Sequence, residues 1–174
     1  MAGRKFKFRD CPPFGSVAVI WSYCKGKPKI TRIFLSDSKI TAKKKAARFF
    51  PDAKPFSDKK ISALINQINR FLKGKDTRFS LTALRLDLCS DFQKKVLRVT
   101  HAIPRGKVSS YGLIARRAGS PRAYRAAGTA LAKNPFPIII PCHRVLRSGG
   151  RPGGYQNGVK MKRALLAMEG VRNI

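Results

Sequence analysis

The chain has 174 residues, enough for one ordinary domain or two small ones, and 43% of them are apolar, sufficient for a packed globular core. Thirty-eight Lys and Arg against eight Asp and Glu give a net charge of +30, far beyond what solubility requires, so the expected partner is a polyanion such as nucleic acid. No run of 18 apolar residues and no signal peptide occurs, and the basic residues do not gather in one tail, so a membrane partner is not expected; an acidic membrane surface is the lesser alternative. The excess is +15 on either side of residue 90, so charge alone does not locate a site.

In the first half, VAVIW (17–21) and ITRIF (30–34) are short β-rich runs separated by SYCKGKPK, a turn-type linker, and together they predict a hairpin. Pro51 and Pro55 separate an Ala/Lys-rich segment from a helix in which Ile61, Leu64, Ile65, Ile68, Phe71 and Leu72 recur at helical spacing. Ser57 or Asp58 caps its start, and Gly74 ends it. In the second half, helix starts are expected at Ser90 or Asp91 before FQKKVLRVTHAI and at Ser109 or Ser110 before YGLIARRAG. A third is expected at Ser120 before PRAYRAAGTALAKN, with Pro121 at the first helical position. Gly119 separates the last two tightly, which is the sequence form of a helix-turn-helix. The expected fold class is α+β. A small N-terminal domain of hairpin, sheet and helix (1–88) precedes a mostly helical, winged-helix-like C-terminal domain (89–174).

The second of these paired helices carries Ala123, Ala126, Ala127 and Ala130 with Gly128 among them, where a core-facing helix ordinarily carries Leu or Ile. Small side chains admit a close neighbour, either a nucleic-acid backbone in a groove or an adjacent helix. Arg125 lies in the middle of this helix, placed to fill a gap in a base stack if the helix meets DNA.

Pro137 and Pro141 bracket an apolar run, Phe136–Ile140, that reads as a buried extended segment delivering Cys142 at its end, with His143 beside it. His143 can supply a base, or a positive charge that favours thiolate, and a nearby helix amino end would add to the latter. The only glutamate of the chain, Glu169, falls on the last predicted helix, VKMKRALLAMEG, on the face of Leu165 and Met161. A carboxylate there needs a partner, either a lysine or arginine in an ion pair or His143. In the second case Cys142, His143 and Glu169 make a nucleophile, a base and its orienting group. Cys11, Cys24 and Cys89 show no C-x-x-C pair and no neighbouring histidine, so neither zinc nor any other cofactor is expected. A reduced intracellular protein is the simpler reading, and a disulfide among these three stays open for a hyperthermophilic source.

The run IPRGKVSSYGLIARRAGSPRAYRAAGTALAKNPFPIIIPCHRV, followed by GGYQNG and KRALLAMEG, closely resembles the C-terminal domain of the O6-alkylguanine-DNA alkyltransferases, also called methylated-DNA-protein-cysteine methyltransferases. The likeness covers residues 90–170 nearly continuously, and PCHRV is its most specific part. The first half matches only in general plan. The resemblance implies an enzyme of direct DNA repair that flips an alkylated guanine out of double-stranded DNA and moves its O6 alkyl group to a cysteine, once. It makes Cys142 the acceptor, His143 a base acting through a water, Glu169 the residue that holds His143, and Asn134 the polar hinge between the helix and the cysteine segment. It makes Arg125 the finger that replaces the flipped base and sets Ala123, Ala126 and Ala127 against the minor groove. Tyr111 then helps rotate the nucleotide and donates to guanine N3. The carbonyls of Cys142 and Val145 accept from the exocyclic amine, Tyr155 closes the pocket, and the Gln156 amide faces O6. A monomer working on nucleoid or nuclear DNA is implied.

The chemistry is consistent with that role. Displacement at a saturated carbon with a poor leaving group wants a soft nucleophile and a proton donor to the departing base. Glutamine at 156 stands where smaller residues are common, which leaves the pocket's tolerance of bulky groups open. Three other functions compete: a lesion sensor, which would lack the cysteine; a Cys-His hydrolase, which has no need of the charge; and a helix-turn-helix regulator, in which the three residues are incidental.

Overall fold

The structure, a computed structural model, describes residues 3–172. The chain divides into two compact units, Met1–Arg85 and Leu86–Ile174. No helix among the described residues is long and apolar enough to cross a membrane.

The first unit is built on a four-stranded sheet of order β3-β2-β1-β4, formed by β1 (Lys5–Asp10), β2 (Ser16–Cys24), β3 (Lys27–Leu35) and the short β4 (Lys54–Pro55). The predicted hairpin is present, but its strands continue through most of the segment read as linker. Only Lys25 and Gly26 turn, both at positive φ (49° and 70°), the backbone of a two-residue hairpin whose twist matches that of its strands. Strand β1, KFKFRD, has no counterpart among the sequence expectations. Its alternation sends Phe6 under helix α1 (Ala42–Phe49) and Lys7 toward helix α2 (Lys59–Leu72), where the ammonium donates to Ser62 at 2.7 Å. The two helices thus cover opposite faces. Ala42 and Ala46 of α1 lie on Ala18, Ile20 and Phe34, while α2 buries Ile61, Leu64, Ile65, Ile68, Phe71 and Leu72, the set its periodicity marked. Asp58 caps α2 by accepting from the Lys60 and Ile61 amides.

The second unit holds α3 (Asp91–His101), α4 (Tyr111–Arg117), α5 (Tyr124–Ala132) and α6 (Val159–Met168). Ser90 caps α3 and Ser110 caps α4 through their side chains, as their residue types predict. Gly119, at φ 82°, ends the α4 turn, but α5 begins at Tyr124 rather than Pro121. Residues 120–123 form a separate turn closed by Ala123 N–H donating to the Ser120 carbonyl, so the link between the two helices is longer than the sequence implies. The run Phe136–Ile140 is buried but is not extended. It folds back on itself with Ile138 at φ 73°, and the Ile140 amide donates to the Phe136 carbonyl at 2.9 Å. A two-residue parallel pairing of β5 (Ser109–Ser110) with β6 (Val145–Leu146) ties the start of α4 to the segment just after the Cys-His pair. All four cysteines are free, with Cys11, Cys89 and Cys142 buried.

Candidate functional site

The β5-β6 pairing has a direct consequence: Tyr111, the first residue of α4, and Cys142 line one cavity of about 900 Å³. Arg125 and Tyr124 of α5, Arg147, Tyr155 and Gln156 contribute to the same cavity. Cys142 is 5% exposed, and its thiol opens the 3-10 turn Cys142–Arg144 rather than lying at the amino end of an α-helix.

Asn134 holds this turn. Its Nδ2 donates to the Ile140 carbonyl (3.0 Å) and to Cys142 Sγ (3.2 Å), and its Oδ1 accepts from the Phe136 amide (2.9 Å). The side chain is fully buried, so it fixes both ends of the folded-back apolar segment from within. Asn134→Ala orphans the buried Phe136 N–H and takes a donor from the thiol. It is expected to cost about 1–3 kcal/mol of stability, read by chemical denaturation. The Cys142 pKa should rise further, since Asn134 is among the groups that lower it, and the pH dependence of thiol alkylation reads that change.

His143 is completely buried and its Nε2 lies 2.9 Å from Glu169 Oε1. Arg144 completes the group with a bidentate pair, Nε to Glu169 Oε2 and Nη2 to Oε1, each at 2.9 Å, while Nη1 donates to the Ile103 carbonyl at 2.5 Å. The sequence leaves Glu169 a choice between a cation and His143; it takes both. It sits as the C-cap of α6, one residue beyond the last helical turn, and retains the burial expected from its spacing to Leu165. Burial raises the Glu169 pKa, but hydrogen bonds from His143 and Arg144 outweigh it and bring the group down to about 2. An ionised Glu169 can only accept, so His143 Nε2 carries the proton. Burial holds the His143 pKa below its ordinary value against the pull of Glu169, so the ring is neutral and Nδ1 is the basic nitrogen. Of the two roles open to His143, base and thiolate-favouring charge, a neutral ring is compatible with the base. The Cys142 pKa is raised by burial, with Asn134 and Lys162 pulling the other way, so the resting group is a thiol.

Two residues escaped the sequence reading. Arg144 counts there only as one more positive charge. Lys162 is fully buried, with Nζ donating to the Val145 carbonyl at 2.6 Å and lying 5.9 Å from the centre of the Tyr111 ring. Burial lowers its pKa to about 8. Its position three and four residues before Leu165 and Leu166, on their buried face, was the available signal. Tyr111 has its pKa raised by burial, then by Cys142, and keeps its proton at neutral pH. Its hydroxyl and Arg147 crowd Gly153, where a Cβ would lie 3.4 Å from the one and 3.2 Å from Arg147 Cγ at a φ of 66° that already favours glycine. The carbonyls of Cys142 and Val145 accept from the Val145 amide and from Lys162. The Tyr155 hydroxyl is buried with no hydrogen-bond partner among the described residues, and Gln156 Nε2 lies 3.4 Å from the Asn134 carbonyl.

The alanine stripe divides. Ala126 is exposed and Ala123 half-buried, but Ala127 is 0% exposed and Ala130 is buried. Ala127 therefore belongs to the packing of α5 against the rest of the unit, and its expected place against DNA is withdrawn. Arg125 is exposed, with its guanidinium 5.8 Å from the Tyr124 ring centre.

A family model described as 6-O-methylguanine DNA methyltransferase, DNA binding domain, matches residues 91–171. A methylated-DNA-protein-cysteine methyltransferase of Methanothermobacter thermautotrophicus is 42% identical over 160 residues, covering 91% of this chain and 82% of that one. The crystal structure of the Mycobacterium tuberculosis O6-methylguanine methyltransferase superposes with a TM-score of 0.74 at 31% identity, over 98% of this chain and 95% of the other. A crystal structure of M. tuberculosis OGT in complex with DNA gives 0.71 at 32% identity, over 95% and 92%.

Proposed function

Since the chain belongs to the O6-methylguanine-DNA methyltransferase family, enzymes of the methylated-DNA-protein-cysteine methyltransferase class that repair alkylated DNA, we propose that it acts as a single-use acceptor, taking the alkyl group of one O6-alkylguanine from duplex DNA onto Cys142. The observation that carries this reading is the thiol on the cavity wall, bonded to Asn134, in a turn whose next residue is a neutral histidine anchored by an ionised glutamate.

In this reading α5 lies in the minor groove with Ala123 and Ala126 against the backbone, and Arg125 occupies the space of the extruded nucleotide. The base enters the cavity, where the Cys142 and Val145 carbonyls would accept from its exocyclic amine. Tyr155 packs against it, and the Gln156 amide faces O6. His143 Nδ1 takes the thiol proton through a water. The thiolate attacks the alkyl carbon, the sulfur-carbon bond forms as the carbon-oxygen bond breaks, and the electron pair stays with the guanine. Tyr111 supplies a proton to N3 as that charge develops, and the histidine proton restores the tyrosine. All these groups come from the unit Leu86–Ile174 of one chain, which supports a monomer, and its substrate places the protein with nucleoid or nuclear DNA. The test is a mass spectrum after incubation with duplex carrying O6-methylguanine. One added methyl on the Cys142 peptide supports the reading, whereas unmodified protein with released methanol indicates a hydrolase.

Arg125→Ala is expected to slow repair in duplex DNA by roughly ten- to a hundredfold, the equivalent of a few kcal/mol of unstacking left uncompensated. Transfer from the free modified base should change little. Rate measurements on both substrates check this, and equal slowing would assign Arg125 a structural role.

A further inference from the structure

The unit Met1–Arg85 takes no part in the chemistry above, yet it carries 21 basic against 5 acidic residues, a net +16. Part of this charge is placed where fold stability does not call for it. Lys43, Lys44 and Lys45 occupy the first turn of α1, with no acidic residue there, at the helix end where the backbone dipole disfavours cations. Lys45 is accounted for by Asp37 at 2.7 Å. Lys43, Lys44 and Arg48 are exposed.

Exposed aromatic rings flank the same helix. Phe8, Ala18 and Phe34 lie in one row across β1, β2 and β3, and α1 crosses that row over Ala18. On one flank Phe8 is 42% exposed, with the Lys43 ammonium 4.8 Å from its ring centre. On the other, Phe49 is 63% exposed and stacks one face on Phe34 at 5.6 Å, leaving its second face to solvent. Arg32 lies over Phe34 at 5.4 Å and Arg4 over Phe50 at 5.2 Å, so the aromatic groups are interleaved with cations. Exposed phenylalanine is costly in water, and a purely electrostatic contact with duplex phosphates would not use it. A polyanion that also offers flat apolar faces would use both features, and unpaired bases are such faces.

We propose that the α1 face of the first unit is a binding platform for single-stranded DNA, on which Phe8 and Phe49 stack bases while Lys43, Lys44 and Arg48 hold phosphates. Lys43 leaves the Phe8 ring to a base and turns its ammonium to the backbone, a change its exposed four-carbon chain allows. DNA is the strand in question because the second unit belongs to a family that acts on DNA.

The experiment uses the full chain and a fluorescent oligothymidylate of roughly 20 nucleotides, with anisotropy measured across a salt series. Phe8→Ala with Phe49→Ala should weaken single-strand binding about tenfold or more without changing the slope of log affinity against log salt, because stacking releases no counterions. Lys43→Gln, Lys44→Gln and Arg48→Gln together should flatten that slope by about 2, at about 0.7 per phosphate contact. Both sets should leave duplex affinity within about twofold and alkyl transfer from the free modified base unchanged, which separates this platform from the Cys142 site. Because Phe49 also packs on Phe34, wild-type protein is irradiated in parallel with bromodeoxyuridine-bearing single strand and the adducts are mapped. Adducts on the peptides holding Phe8 and Phe49 support the platform. Adducts confined to residues 86–174, unchanged affinity in the folded phenylalanine variants, or tighter binding of RNA or duplex at this face would overturn it.

Discussion

Cys142→Ser is expected to abolish alkyl uptake while leaving duplex binding within about twofold. A serine hydroxyl is a harder and far weaker nucleophile than thiolate, and His143 Nδ1 is too weak a base to ionise it. The side chains proposed to meet DNA, Ala123 at the N-cap of α5 and Arg125 and Ala126 within it, are untouched by the change. On the proposed function the wild-type product would be a thioether, comparable to a methionine side chain, with no carbonyl to polarise and no bond that water displaces. With limiting protein and excess duplex carrying a labelled O6-methyl group, label on protein should reach a plateau at one equivalent, all of it on Cys142. Continued turnover, or label on Cys11, Cys24 or Cys89, would refute the single-use reading. The alkylated protein should also melt at lower temperature, because a bulkier thioether takes the place of the buried thiol that Asn134 Nδ2 holds at 3.2 Å, and added volume in a packed interior costs about 1–3 kcal/mol.

The second large effect is expected from Glu169→Gln. Its side chain is fully buried, and the amide would leave the Arg144 guanidinium without a counter-charge, a change that typically costs about 3–5 kcal/mol. The pH dependence carries a sign. Glu169 has a folded-state pKa of about 2 against an ordinary 4.5, so its contribution, about 3 kcal/mol, is fully present above pH 4.5 and is lost as pH falls toward 2. Urea unfolding should therefore show an acid limb between these values in the wild type and a flatter one in Glu169→Gln. The variant should also slow transfer even where it remains folded. Glutamine can present an N–H to His143 Nε2, which turns that nitrogen into the acceptor and moves the ring proton to Nδ1, removing the base.

Much of the site was legible from composition. A unique glutamate at buried helical spacing, a histidine beside a proline-bracketed cysteine and serines at helix starts each carry a physical requirement that few arrangements satisfy. Other features were not legible, for identifiable reasons. The Phe136–Ile140 run has no hydrophobic period, so its fold-back at Ile138 leaves no mark distinguishing it from a buried strand. The alanines Ala126, Ala127, Ala130 and Ala132 are spread around α5 and do not fix the phase of that helix, so their spacing does not say which of the adjacent Ala126 and Ala127 is buried. In β1 the alternate positions are Lys5, Lys7 and Arg9, of which Lys7 and Arg9 reach Ser62 and Asn66 of α2, so the apolar-polar alternation of a half-buried strand is masked by charge. Arg144 was hidden among 38 basic residues with no spacing to mark it, whereas Lys162 shares the helical spacing of Leu165 and Leu166, a signal outweighed by the rarity of buried lysine.

The raised pKa of Cys142 has a meaning for the lifetime of the protein. An acceptor that works once is spent by any electrophile that reaches it, and the cell's alkylating agents are the very compounds that damage guanine. A thiol held protonated by burial is a poor target for such agents in free solution. On the proposed function, that reactivity is called on when a flipped base fills the cavity beside Tyr111 and sets its alkyl carbon against Sγ. For an acceptor used once, latency of this kind would keep the stock of unused protein matched to lesions in DNA rather than to the concentration of the reagents that cause them.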